Sequence, residues 1–110
     1  MNESLTLYHL KREDIEINIV ARFEKDKLII DGYDIGKNVQ AVWGDSDYEY
    51  TITLPATSLP PLYALLGVAS GDHQALLEAV AKRFNGNQCF SAIGEFLNQN
   101  QIQYESFSWA

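Results

Sequence analysis

The residues best suited to do chemistry are carboxylates that alternate with aromatic rings in one short stretch. Asp45, Asp47 and Glu49 recur at every second position and follow Trp43. Side chains at alternate positions of an extended strand share a face, so these acids would form an outward row. The tyrosines and aliphatic residues between and after them would face the core. The pattern predicts a strand with an acidic outer surface.

A second acidic segment precedes this strand and adds to the same candidate surface. It contains Asp31 and Asp34 near two glycines, Gly32 and Gly36. An acidic surface edged by aromatic rings has the composition favoured at protein interfaces. The predicted partner-binding residues are Asp31, Asp34, Trp43, Asp45, Asp47 and Glu49.

The same carboxylates leave a metal-binding or hydrolytic alternative open. Asp45-x-Asp47-x-Glu49 resembles the start of a calcium loop, but Tyr50 and Ala56 stand where that loop needs Gly and Glu. Acid–base catalysis by paired carboxylates requires environments that separate their pKa values, which an exposed row does not provide. We therefore expect no catalysis and no cofactor. A small enzyme or metal-binding protein using Asp45, Asp47 and Glu49 is the alternative.

Nucleophilic catalysis has little support in the sequence. The chain has one cysteine, Cys89, and two histidines, His9 and His73, in unrelated contexts. No Gly-x-Ser-x-Gly motif is present. A cysteine beside Phe90 is typical of a small buried hydrophobic residue.

Length and charge limit the possible partners. The 110 residues fit one domain spanning 1–110, and fifteen acids against eight bases give a net charge of −7. This balance disfavours nucleic-acid binding and favours a basic protein partner. A lone cysteine, no signal-peptide pattern and no long apolar run predict a cytoplasmic protein outside the membrane.

Periodicity predicts an α+β fold: an antiparallel sheet of four to five strands with three helices packed on one face. The predicted strands are Leu5–Leu10, Ile15–Glu24, Leu28–Ile30, Asp47–Leu54 and Ile102–Trp109. The third should stop at the turn dipeptide Asp31-Gly32, and residues 33–44 should form a helical turn or loop. The first helix should be capped by Thr57 or Ser58. The second should be capped by Asp72, carry Phe84 on its apolar side and end at Asn85-Gly86, and the third should run from Cys89 to Asn100.

Three segments carry a resemblance to other proteins. Asp31-Gly-Tyr-Asp-Ile-Gly36, Trp43-Gly-Asp-Ser-Asp-Tyr-Glu-Tyr50 and Phe107-Ser-Trp109 together resemble a group of small bacterial proteins with no established activity. In size and acidity the chain is also similar to immunity proteins that neutralise secreted toxins. Neither resemblance transfers a functional residue. The acidic and aromatic residues themselves predict a non-catalytic protein that binds a basic partner, for example a toxin bound by its immunity protein. A structural homodimer joined through an edge strand is a further alternative.

Overall fold

The computed structural model of the protein describes residues 3–36, 46–86 and 88–109, and the side chains of Ser46, Asp47 and Trp109 are outside that description. Its elements are strands β1 (Ser4–Lys11), β2 (Ile15–Glu24), β3 (Lys27–Gly36), β4 (Ser46–Leu54) and β5 (Glu105–Trp109), a 3-10 turn (Ala56–Ser58), and helices α1 (Leu59–Leu65), α2 (His73–Arg83) and α3 (Cys89–Gln99).

The five strands form one antiparallel sheet in the order β1-β2-β3-β4-β5. The first four strands follow each other as a meander. The three helices come next, and the chain then returns so that β5 pairs with β4. Strands and helices are therefore segregated along the sequence, and the predicted α+β fold is confirmed.

One face of the sheet, which we call the helix face, builds the core with the helices. Ile19, Ile30 and Ile52 on the strands and Leu76 and Leu97 on the helices are all at most 2% exposed. The opposite face, which we call the outer face, carries polar residues such as Arg22, Asp31 and Thr51 together with Ile29 and Tyr33. In the described ranges, none of the helices has the length and hydrophobicity needed to cross a bilayer.

The predicted turn at Asp31-Gly32 is wrong, because β3 continues through both residues to Gly36. Gly32 pairs with Tyr50 of β4. A Cβ atom built on Gly32 would overlap the Tyr50 ring, so the glycine leaves room for the tyrosine to lie across the strand. Residues 33–36 are accordingly strand rather than helical turn or loop, and 37–44 fall outside the described residues.

The predicted helix starts have different outcomes. Asp72 caps α2 as expected, since its Oδ1 accepts a hydrogen bond from the Ala75 amide at 3.0 Å. Ser58 occupies the N-cap position of α1 but makes no capping bond. Its hydroxyl instead donates to the carbonyl oxygen of Gln103 at 2.7 Å, which joins the start of α1 to the segment before β5.

The last strand begins later than the predicted Ile102. The Ile102 amide donates to the Leu97 carbonyl oxygen at 2.9 Å and so completes the end of α3. That amide is used by the helix and is not available to the sheet. Pairing with β4 starts at Glu105, opposite Thr53.

Candidate functional site

A pocket of about 460 Å³ lies on the helix face, where β3, β4, β5 and the start of α3 meet. Its size falls in the range of about 300–1,000 Å³ that ligand pockets occupy. We call it the Asp34 pocket. Its lining residues are Asp34, Tyr48, Tyr50, Phe90, Ser91, Ser106, Phe107 and Ser108.

Tyr50 connects the strands that form the pocket floor. The room above Gly32 lets the Tyr50 ring extend over β3. Its hydroxyl donates a hydrogen bond of 2.6 Å to Oδ1 of Asp34. Burial, and then this hydrogen bond to Asp34, raise the pKa of Tyr50 well above its ordinary value. Tyr50 therefore stays a neutral donor, and it is not suited to act as a general base.

Two further rings hold Tyr50 in place. The Phe90 ring meets Tyr50 with centroids 4.5 Å apart at 72°, and the Tyr48 ring meets it at 5.4 Å and 89°. Both are edge-to-face arrangements, which aromatic pairs prefer. Tyr48 is 42% exposed, so it presents aromatic surface to an incoming ligand.

The charge of the pocket comes from the half-buried Asp34. Its described hydrogen-bond partner is Tyr50, a neutral group. Among residues 3–36, 46–86 and 88–109, no lysine, arginine or histidine forms an ion pair with Asp34. A carboxylate beside aromatic rings and serine hydroxyls is complementary to a cation that can donate hydrogen bonds.

On the outer face, in contrast, Asp31 has a cationic partner, Arg22, which it shares with Glu24. Arg22 donates from Nε to Asp31 at 2.5 Å and from its terminal nitrogen to Glu24 at 2.6 Å. Thr51 donates a longer hydrogen bond of 3.3 Å to Asp31. The hydrogen bonds to Asp31 and Glu24 raise the pKa of Arg22, and Arg22 lowers the pKa of Glu24.

The structure separates the predicted partner-binding residues. Asp31 and Glu49 lie on the outer face, where Asp31 is paired with Arg22. Asp34 lies on the helix face, bonded to Tyr50. Asp47 pairs with Ile35 through the backbone, and its side chain is outside the described residues, as are Trp43 and Asp45.

The predicted alternation of side chains in β4 is confirmed for the residues of this strand whose side chains are described. Ile52 and Leu54 are buried in the core, and Tyr50 packs against it. Glu49 and Thr51 are on the other face, beside Asp31 and Arg22. The prediction that Asp31 and Asp34 contribute to the same surface is wrong. They are three residues apart in one strand, so their side chains point to opposite faces of the sheet.

Sequence reasoning missed the residues that enclose Asp34. Phe90 and Ser91 come from α3, and Ser106 and Ser108 from β5, far along the chain from Asp34. No local pattern marks these serines as neighbours of the carboxylate. The one available signal was the pairing of a strand glycine with an aromatic residue, which requires knowing the sheet register.

Other chemistries find little support in the described residues. Cys89 is 1% exposed and burial raises its thiol pKa, so it is the buried hydrophobic residue that the sequence predicted. Across residues 3–36, 46–86 and 88–109, no three His, Cys, Asp or Glu side chains are grouped to hold a metal ion. Asp45 and the Asp47 side chain, on which the metal alternative depends, fall outside this description.

Comparison with known proteins identified no matching family model, no matching curated protein and no matching solved structure.

Proposed function

We propose that this protein is a non-catalytic interaction module that binds a basic protein partner, and that a cationic side chain of the partner enters the Asp34 pocket. The observation that carries this proposal is the environment of Asp34. Its carboxylate accepts a hydrogen bond from neutral Tyr50, faces aromatic surface, and has no counter-ion among the described residues.

The chemistry of the pocket fits lysine or arginine better than a neutral group. The faces of Tyr48 and Tyr50 attract a cation through their π electrons. The hydroxyls of Ser91, Ser106 and Ser108 can accept hydrogen bonds from it. Asp34 supplies the charge, and charge-assisted hydrogen bonds are the stronger kind.

The net charge of −7 supports the same partner class. An acidic protein attracts a basic one over several ångströms and so increases the rate of encounter. A basic secreted toxin, neutralised by this protein as its immunity protein, is one partner with the required chemistry. A toxin gene beside the gene for this protein would support that assignment.

The test uses N-acetyl-arginine methylamide and its citrulline analogue, which has a similar shape and no charge. We expect the arginine compound alone to shift the amide NMR signals of Ser91, Ser106 and Ser108. Asp34→Asn should weaken its binding at least about tenfold, since the charge-assisted bond is lost. Glu78→Gln is the matched control, because it changes the net charge equally but lies on α2, where the Glu78 carboxylate accepts a hydrogen bond from Gln74 at 3.5 Å. This variant should bind the arginine compound as tightly as the native protein does.

Two results would contradict the proposal. One is equal binding of the arginine and citrulline compounds. The other is equal loss of binding in the Asp34 and Glu78 variants, which would attribute the effect to net charge rather than to the pocket. A basic partner captured from the native host should discriminate between these two variants in the same way.

A further inference from the structure

The exposed edge of β5 forms one side of the Asp34 pocket. β5 is the last strand of the sheet, and in the described ranges its backbone pairs with β4 and with no other strand. Ser106 and Ser108 of this strand line the pocket. An edge strand presents unpaired N–H and C=O groups that can pair with another extended chain.

The two edges of the sheet are not equivalent. β1, at the other edge, has a register irregularity between Thr6 and Tyr8. Such a bulge interrupts the regular row of backbone groups and disfavours pairing. β5 pairs with β4 in an unbroken register from Glu105 to Trp109, and it contains no proline. β5 is therefore the better template for an added strand.

The two faces of β5 differ in a way that defines its occupant. Ser106 and Ser108 pair with Ile52 and Tyr50 and so lie on the pocket side. Phe107, which also borders the pocket at this edge of the sheet, pairs with Thr51 of the outer face and is 62% exposed. We propose that β5 binds an extended segment of the basic partner by strand addition, with basic residues on the pocket side alternating with apolar residues beside Phe107. This proposal rests on the function proposed above for the Asp34 pocket.

Strand spacing explains why the pocket-side residues should be long and basic. Neighbouring strands are about 4.8 Å apart, so an added strand would lie about 10 Å from β4 and Tyr50. A short side chain would end above the serines of β5. Asp34 lies one strand further, on β3, about 14 Å from the added strand. A lysine or arginine that crosses β5 would therefore reach the rings of Tyr48 and Tyr50 and be attracted by the Asp34 carboxylate that Tyr50 binds.

Charge argues against a second copy of this chain as the occupant. Each molecule carries a net charge of −7, so two copies repel each other, most strongly at low salt. In addition, β5 has no basic residue to place over the pocket of a second molecule. A basic segment is attracted by the same charge.

The experiment uses the pentapeptide acetyl-Arg-Val-Arg-Val-Arg-amide, its tris-citrulline analogue, and a set methylated at one backbone nitrogen each. Alternate residues of a strand direct their N–H groups to opposite sides. We therefore expect binding to fall about tenfold for methylation at every second residue and to change less than about twofold at the others. Hydrogen exchange of the β5 amides should slow when the peptide binds.

The outcomes separate this proposal from the proposed function. Binding that needs arginine and Asp34 without an alternating effect of methylation would overturn strand addition and leave the pocket function standing. Suppose instead that methylation has an alternating effect, but that the arginine and citrulline peptides bind equally well and Asp34→Asn leaves their affinity unchanged. That result would support strand addition and overturn cation recognition. Absence of binding overturns both. A concentration-dependent dimer that excludes the peptide would make a second copy the occupant and also overturn the proposal.

Discussion

Replacing Gly32 with alanine should test directly how the pocket is built. In the native protein the new methyl group would overlap the Tyr50 ring. The ring cannot retreat without cost, because it packs on Phe90 at 4.5 Å and bonds to Asp34 at 2.6 Å. We expect Gly32→Ala to lower the free energy of unfolding by about 2 kcal/mol, within the range of about 1–3 kcal/mol for overpacking.

The effect should reverse in a Tyr50→Ala background. Without the ring, the methyl group meets no obstacle, and alanine restricts the unfolded chain more than glycine does. Gly32→Ala should then raise the free energy of unfolding by about 0.5–1 kcal/mol. The coupling energy between the two positions should therefore be about 3 kcal/mol, at the upper end for residues in contact.

Urea unfolding followed by circular dichroism measures all four proteins of this cycle. Gly94→Ala in α3 is the matched control, since the nearest atoms to its new Cβ, Tyr104 Oη and Ile52 Cδ1, are 3.8 and 3.9 Å away. That control should be stabilised by up to about 1 kcal/mol, because alanine favours a helix. If Gly32→Ala had the same effect with and without the Tyr50 ring, our account of this glycine would be refuted.

Two further predictions concern tyrosine hydroxyls and pH. Tyr63→Phe should leave the free energy of unfolding unchanged or raise it by up to about 1 kcal/mol, because the buried Tyr63 hydroxyl has no hydrogen-bond partner among the described residues. Tyr50→Phe should lower the free energy of unfolding by about 1 kcal/mol, because the hydrogen bond to Asp34 is lost. Urea unfolding of the two variants and the native protein measures both effects. Arg22 lowers the pKa of Glu24, so this pair stabilises the fold above the ordinary carboxylate pKa, and that contribution is lost as pH falls through the lowered pKa. Arg22→Met should raise the Glu24 pKa towards its ordinary value in a carboxylate NMR titration and make the decline in stability at acid pH shallower. An unchanged Glu24 titration would contradict the pairing.

The parts of the fold that sequence predicted depend on local signals. β2 carries apolar residues at every second position from Ile15 to Phe23, and Asp72 stands directly before the first residue of α2. Each signal is contained within one element, and each element buries its apolar face in the core. Local pattern and tertiary packing therefore agree for these elements.

The prediction failed where a distant residue determines the local structure. Asp31-Gly32 is a common turn dipeptide, yet Gly32 lies within a strand because Tyr50, eighteen positions later, needs the space above it. The same limit applies to the pocket. Ser106 and Ser108 reach Asp34 only through pairing of β5 with β4 after the three helices.

Under the proposed function, the separation of Asp31 and Asp34 onto opposite faces should give the two carboxylates different roles in binding a basic partner. Each carboxylate contributes one unit to the net charge, and encounter with a basic partner depends mainly on that total. Asp31 is already paired with Arg22, whereas Asp34 in the pocket has no cationic partner among residues 3–36, 46–86 and 88–109. Neutralising either residue should therefore reduce the association rate to a similar, small extent. Only loss of the Asp34 charge should increase the dissociation rate, because in the proposed complex the cation binds at Asp34 and not at Asp31.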